Sequence, residues 1–327
     1  MALVRARRNP GYGLAMVGWL LCCSCSPPAA APPRAVAQEQ ASSASQANCL
    51  SAVAPLDFRP VSRWLKHWQR LDDSDCRPGS WLLRSPEKGQ SLQNFRDQLR
   101  NGVRPNSLRL GMLGKLKSKD PDLLPLLAEF IALFFQLEVA AADSPGLDGH
   151  LLGERRGVAP GQLDAAGLLQ RLPETCSASG SACLWLTEED LYIEGLQYVF
   201  GLAHFQRRQG LVSLFRSYRA PPPPGVGAEG SQAAVAALRR LLKVAAHELG
   251  HPFSLQHCVH FRHCLMAGTS SIRENDAGRL ALCPLDHEKL RFALGFDPTQ
   301  RFLELAAFAE RHGLHSEARY WRQMGAL

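Results

Sequence analysis

Apolar and polar positions follow two rhythms along this chain, and the changes between them mark its elements. From Val61 to Leu71 the residues Trp64, Leu65, Trp68 and Leu71 recur at spacings that place them on one face, which predicts an amphipathic helix. Leu108 to Leu113 predicts a short strand, Pro121 to Phe135 a strongly apolar helix, and Gln136 to Ala141 the next strand. Leu163 to Leu172 predicts another helix and Ala182 to Leu186 a third strand. Strands that alternate with helices imply right-handed crossovers and a largely parallel sheet, hence an α/β fold. The rhythm then changes. Tyr198 to Gln206 and Leu211 to Tyr218 are separated by a basic turn ending in Gly210, which predicts an antiparallel hairpin added to that sheet. After the rigid run Pro221 to Pro224, the stretch Val235 to Ala246 is rich in Ala and Leu and carries Arg239, Arg240 and Lys243. It predicts a helix with one buried face. No internal repeat or heptad array is visible.

The N-terminus has a different character. Arg5, Arg7 and Arg8 precede an apolar run from Gly13 to Cys23 that is too short to span a bilayer, so residues 1–25 are expected to be a signal peptide. The run ends in Cys22-Cys23-Ser24-Cys25, followed by a stretch of Pro, Ala, Ser and Gln, and this resembles a bacterial lipoprotein signal. Cys25 is then the expected lipidated residue, with Cys23 the alternative, residues 26–50 a flexible tether, and 51–327 the folded domain. The implied location is the bacterial cell envelope, with the membrane reached through the N-terminal lipid; an ordinary secretory signal cleaved nearby is the rival. At 327 residues and 46% apolar composition the chain is long enough for one sizeable core or two small ones. Its net charge of +7 falls to +4 without the three leader arginines, and no basic stripe with interleaved aromatics appears, so no nucleic-acid partner is expected. The domain is expected to act as a monomer.

The chemistry is concentrated in His247-Glu248-Leu249-Gly250-His251 and in His257, six residues on. One helical turn separates His247 from His251, so both imidazoles project from one face with Glu248 beside them. His257 can join them only if the helix stops after His251, and Pro252 favours such a stop. Three neutral imidazoles leave zinc one open position, the arrangement of a catalytic site. Six of the 11 histidines and three of the 10 cysteines fall between 247 and 287, a clustering that core packing does not require. Beyond the leader remain Cys49, Cys76, Cys176, Cys183, Cys258, Cys264 and Cys283, and an odd number cannot all pair. Cys176 and Cys183 bracket a Ser/Ala/Gly loop and make a natural disulfide, and Cys49 with Cys76, which flank one amphipathic segment, is a candidate for another. The remaining three lie beside the histidines, where they bind a second zinc or form one more disulfide.

These residues carry a family resemblance. HELGHPFSLQHC, then Cys264-Leu265-Met266, Cys283-Pro284-Leu285-Asp286 and Lys289-Leu290, resemble the motif of the archaemetzincins, a branch of the metzincin zinc peptidases. Gly79-Ser80-Trp81-Leu82 with Glu87-Lys88-Gly89-Gln90, the stretch Val199 to Ala203, and Leu294-Gly295-Phe296 with its helical tail extend the likeness over about residues 78 to 325. Three departures stand out. Ser254 replaces the usual Gly between the second and third histidines, five residues and not four separate Cys258 from Cys264, and Asp286 replaces a Cys. The resemblance implies a three-layer metzincin-like domain whose antiparallel edge strand, Tyr198 to Gln206 with Tyr198, Phe200 and Leu202, lies above the metal and pairs with an extended peptide. It implies catalytic zinc on His247, His251 and His257, Glu248 as general base, and Met266 as the floor of the Met-turn. A second zinc would sit on Cys258, Cys264, Cys283 and Asp286, with His260, His263 and His287 as alternatives to Asp286. The substrate would be a peptide or protein. The rival functions are a zinc-binding lipoprotein with little or no turnover and a surface protein whose edge strand captures peptide segments.

Overall fold

Every residue of the segment Ser181–Thr187 is buried, as befits a strand covered on both faces. Ala182, Leu184 and Leu186 join one core cluster while Cys183 and Trp185 join another, so the sheet separates two apolar layers. The computed structural model describes residues 49–50, 53, 61–100, 102, 104–114, 122–143, 145–147, 159, 161–174, 176, 179–223 and 231–327. The expected signal peptide, Cys25 and all but the end of the tether lie outside the described residues.

In chain order, α1 (Ser62–Leu65), α2 (Trp81–Arg84) and α3 (Leu92–Arg100) lead to β1 (Ser107–Met112), α4 (Leu123–Phe135), β2 (Val139–Ala141) and β3 (Leu163–Asp164). There follow α5 (Ala165–Arg171), β4 (Ser181–Thr187), β5 (Leu191–Ile193), β6 (Leu196–Val199), β7 (Gly201–His204) and β8 (Gln209–Ser213). The described chain closes with α6 (Leu214–Arg219), α7 (Ser231–Gly250), α8 (Ile272–Ala277), α9 (Pro284–Leu294), α10 (Pro298–Arg311) and α11 (His315–Gly325). The main sheet has the order β2-β1-β4-β8-β7, parallel except for β7, which runs antiparallel to β8 at the edge with Leu202 opposite Leu211. Strands β3, β5 and β6 form a second, smaller sheet. Helices α4 and α7 and the C-terminal helices share the core on one face of the main sheet; α5 and the small sheet share the core on the other. The fold is therefore mixed α/β with a mostly parallel sheet, and among the described residues no helix is long and apolar enough to cross a membrane.

Two expectations need correcting. The hairpin arm Tyr198 to Gln206 breaks at Phe200: Tyr198 lies in β6, paired with β5, and only Gly201–His204 pairs with β8. Its partner arm ends at Ser213, because the Ser213 hydroxyl accepts from Phe215 N and starts α6. The amphipathic segment at 61–71 is helical for only one turn. Past Trp68 its backbone turns to the chain beyond His257, with Leu71 N bonding His260 O and Arg262 N bonding Gln69 O. Trp64 and Trp68 are buried all the same, at 4% and 8% exposure, so the apolar face is real and only the helix is not.

Candidate functional site

Helix α7 runs across the sheet and buries Leu241, Leu242, Ala245, Ala246 and Leu249, which fixes where its last turn points. It ends at Gly250. A 3-10 turn, His251–Phe253, follows with Pro252 in its first turn, and Ser254 turns the chain back in the left-handed region at φ 68°. Leu255 N closes this turn on Gly250 O at 3.1 Å. The turn returns His257 to the other two histidines.

One ligand nitrogen from each of His247, His251 and His257 lies within 4.8 Å of the others. The Nε2 atoms of His247 and His251 are 3.3 Å apart. Each ring is held from behind at Nδ1: His247 by Leu265 O at 2.8 Å, His251 by Leu255 O at 2.7 Å, and His257 by Glu87 Oε1 at 2.8 Å. An Nδ1–H bonded this way leaves the Nε2 lone pair for a metal, and ligating histidines are held in the same manner. Burial favours the neutral form that a metal requires at two of the three: it brings His247 to about 4 and His251 well below its ordinary value, helped by the neighbouring imidazoles. The donor set fits zinc.

Glu248 is buried at 7% exposure beneath the edge strand. A Cβ on Gly201 of β7 would stand 2.6 Å from Glu248 Cγ and 2.7 Å from its Oε1, so only glycine lets the strand approach the carboxyl this closely. Burial raises the Glu248 carboxyl to about 8. Met266 is fully buried below the histidines, and a Cβ on Gly250 would meet its Sδ at 2.6 Å. Its carbonyl accepts from Cys258 N at 2.8 Å.

A second group lies next to the first. Cys258, Cys264, Cys283 and Asp286 are all buried, with one donor atom from each within 4.8 Å of the others. Cys264 Sγ is 3.3 Å and Cys283 Sγ 3.4 Å from Asp286 Oδ2, and Cys258 Sγ is 3.7 Å from Cys283 Sγ. These three cysteines are not disulfide-bonded, whereas Cys49–Cys76 and Cys176–Cys183 are. His260, His263 and His287 do not join the group; His287 stacks on Phe302 with ring centroids 4.8 Å apart. Asp286 also accepts from Lys289 Nζ at 2.7 Å, which compensates part of its burial. Its carboxyl is still raised to about 6, chiefly by that burial.

Sequence reasoning missed the wall opposite the edge strand. A cleft of about 870 Å³ is lined by Trp81, Tyr198, Phe200, His247, Glu248, His257 and Gly268 among others. Trp81 stands edge-on to His257 at 5.2 Å and donates through Nε1 to Glu87 Oε1 at 3.2 Å. Burial pushes the Glu87 carboxyl up, but hydrogen bonds and charge from His257, with Trp81 and His247 assisting, leave it below its ordinary value. The segment carrying Trp81 and Glu87 was visible in the sequence only as part of a wider likeness, because no spacing rule links residues 170 positions apart.

Residues 174–291 match the sequence model of peptidase family M54. The archaemetzincin of Pyrococcus furiosus is 37% identical over 114 residues, 35% of this chain and 56% of that protein. Archaemetzincin-2 of Macaca fascicularis is 24% identical over 272 residues, covering 71% of this chain and 72% of that protein. The crystal structure of archaemetzincin from Methanopyrus kandleri covers 59% of this chain and 97% of its own at 27% identity, with a TM-score of 0.45. The chain spans about half the length of the archaeal relatives it matches, 56%, 58% and 46% for three of them.

Proposed function

We propose that this relative of the archaemetzincins is a zinc metallopeptidase that hydrolyses peptide bonds, with His247, His251 and His257 as zinc ligands and Glu248 as its general base. The observation that carries the reading is the convergence of three back-bonded imidazoles beside one buried carboxyl. Zinc, when bound there, supplies Lewis acidity that polarises a carbonyl and lowers the pKa of water towards 7. Glu248 takes a proton on its carboxylate and returns it to the leaving amine nitrogen, so one residue serves first as base and then as acid. The side of β7 that no described strand pairs with, close to Glu248, offers main-chain donors and acceptors to an extended peptide, and Leu202 and Phe200 line the cleft beside it. Tyr198, now in the small sheet, lines the same cleft from the side. Met266 serves as the floor under the ligands. A second, structural zinc on Cys258, Cys264, Cys283 and Asp286 is part of the same reading, since its four donors are buried together and thiolates suit the metal.

Peptide hydrolysis by the purified protein is expected to fall by at least ~10² in Glu248→Gln with the metal retained, whereas His251→Ala should lose the catalytic zinc itself. Full activity in Glu248→Gln would sink the mechanism. Peptide binding without turnover in the wild type would leave a capture protein in its place.

A further inference from the structure

The three histidines are not held alike. His247 and His251 donate to neutral backbone carbonyls of their own neighbourhood, while His257 alone donates to a carboxylate, that of Glu87, from far upstream. Glu87 lies outside the residues 174–291 that match the family model. We propose that Glu87 is a positioning residue of the metal centre, and that the segment from Trp81 to Gln90 braces the third ligand. This rests on the zinc reading above and extends it.

A chance ion pair at a surface contributes little, but this contact is built from several sides. The His257 side chain is 6% exposed, so its Nδ1–H has few water partners to fall back on. Trp81 donates to the same Glu87 oxygen and packs its edge on the His257 ring, which limits the rotation of both. Trp81 is anchored in turn through its backbone N to Glu274 Oε1 at 3.0 Å. At the other end of the segment, Gln90 is 1% exposed and donates to Ser254 O at 2.8 Å, while Gln256 N reaches Gln90 Oε1 at 3.4 Å. The segment thus grips both the turn that leads to His257 and the ring of His257. With the proton held on Nδ1 by Glu87, the lone pair resides on Nε2, the atom that would bind the metal. The negative charge behind the ring also makes that nitrogen a better donor, an effect that a backbone carbonyl supplies only weakly.

The test is zinc affinity, measured by competition with a chromophoric chelator on the full chain. His251→Ala serves as the baseline for any zinc held elsewhere, and the thermal midpoint of each metal-free protein is measured alongside. Glu87→Ala is expected to weaken zinc at the three-histidine site by roughly 10- to 100-fold, more than any fall in its metal-free midpoint accounts for. Glu87→Gln, which keeps an acceptor but loses the charge, should fall between Glu87→Ala and the wild type. Unchanged affinity in Glu87→Ala, where the wild type binds more zinc than His251→Ala, would overturn the role of Glu87 and leave the zinc reading standing. An affinity loss matched by a lower metal-free midpoint would reduce Glu87 to a residue of the fold. A wild type that binds no more zinc than His251→Ala would overturn the zinc reading itself.

Discussion

Ser254 holds a φ of 68° in the turn between the second and third histidines, a region that favours glycine. For a residue with a side chain this conformation costs on the order of 1–2 kcal/mol, partly offset because glycine would loosen the unfolded chain by ~0.4–1 kcal/mol. Ser254→Gly is therefore expected to stabilise the protein by about 0.5–1 kcal/mol, a rise of roughly 1–4 °C in thermal midpoint, with zinc content unchanged. A lower midpoint by calorimetry would show that the hydroxyl matters more than the backbone. Ser254 stood out only through the family resemblance, whereas His247, Glu248, His251 and His257 were legible in the sequence, because their relations are set by spacing within one turn or one loop. Glu87 and Gln90 were not, since what they do depends on which distant backbone they meet.

Among the elements, α7 shows what periodicity conceals. Its basic residues read as an ordinary polar face, yet Arg240 is 2% exposed and grips Asp276 with two contacts of 2.6 Å, and Lys243 is 4% exposed with its Nζ on the carbonyls of Asn275 and Gly278. Periodicity reports that a face is polar and says nothing of a partner that arrives later in the chain. The hairpin was misjudged for a related reason. The run from Tyr198 to Gln206 is continuous in sequence, but two sheets compete for it and divide it at Phe200. At the start of α9, Cys283 is both the helix cap, its Sγ accepting from Asp286 N at 3.4 Å, and a member of the buried thiol group. Elemental analysis is expected to give two zinc ions per chain, falling to one in Cys283→Ser with lower stability and activity. One zinc in the wild type, with a mapped disulfide among Cys258, Cys264 and Cys283, would mean that a covalent staple has taken the metal's place.

At the scale of the whole molecule, an N-terminal segment is fastened onto the part of the chain that resembles the archaemetzincins. Trp68 Nε1 donates to Tyr320 Oη at 2.9 Å, Trp64 packs edge-on to His287 at 5.1 Å, and a disulfide joins Cys49 to Cys76. Such bonds suit an oxidising compartment, and we infer from the leader that the protein is anchored in the cell envelope by a lipid on Cys25 or Cys23. Replacing both cysteines by Ala should move the protein from the membrane fraction to the soluble one. An unmodified N-terminus beyond Cys25, read by mass spectrometry, would rule the anchor out. The α/β alternation was readable from the pattern, and so was an apolar face at 61–71, whereas the partners of that face were not, because nothing in a local rhythm reveals a residue 252 positions away. Both donor groups, by contrast, lie in one stretch from His247 to Asp286. Loops this short close at small entropic expense, so metal capture can run ahead of the slow, long-range docking of Trp81 to Gln90. With zinc bound at both groups, the same stretch would form a cooperative unit whose amides are expected to exchange fastest once the ions are stripped, while β1 and β4 keep their protection. On that reading zinc would be a folding partner of these forty residues before it is a reagent.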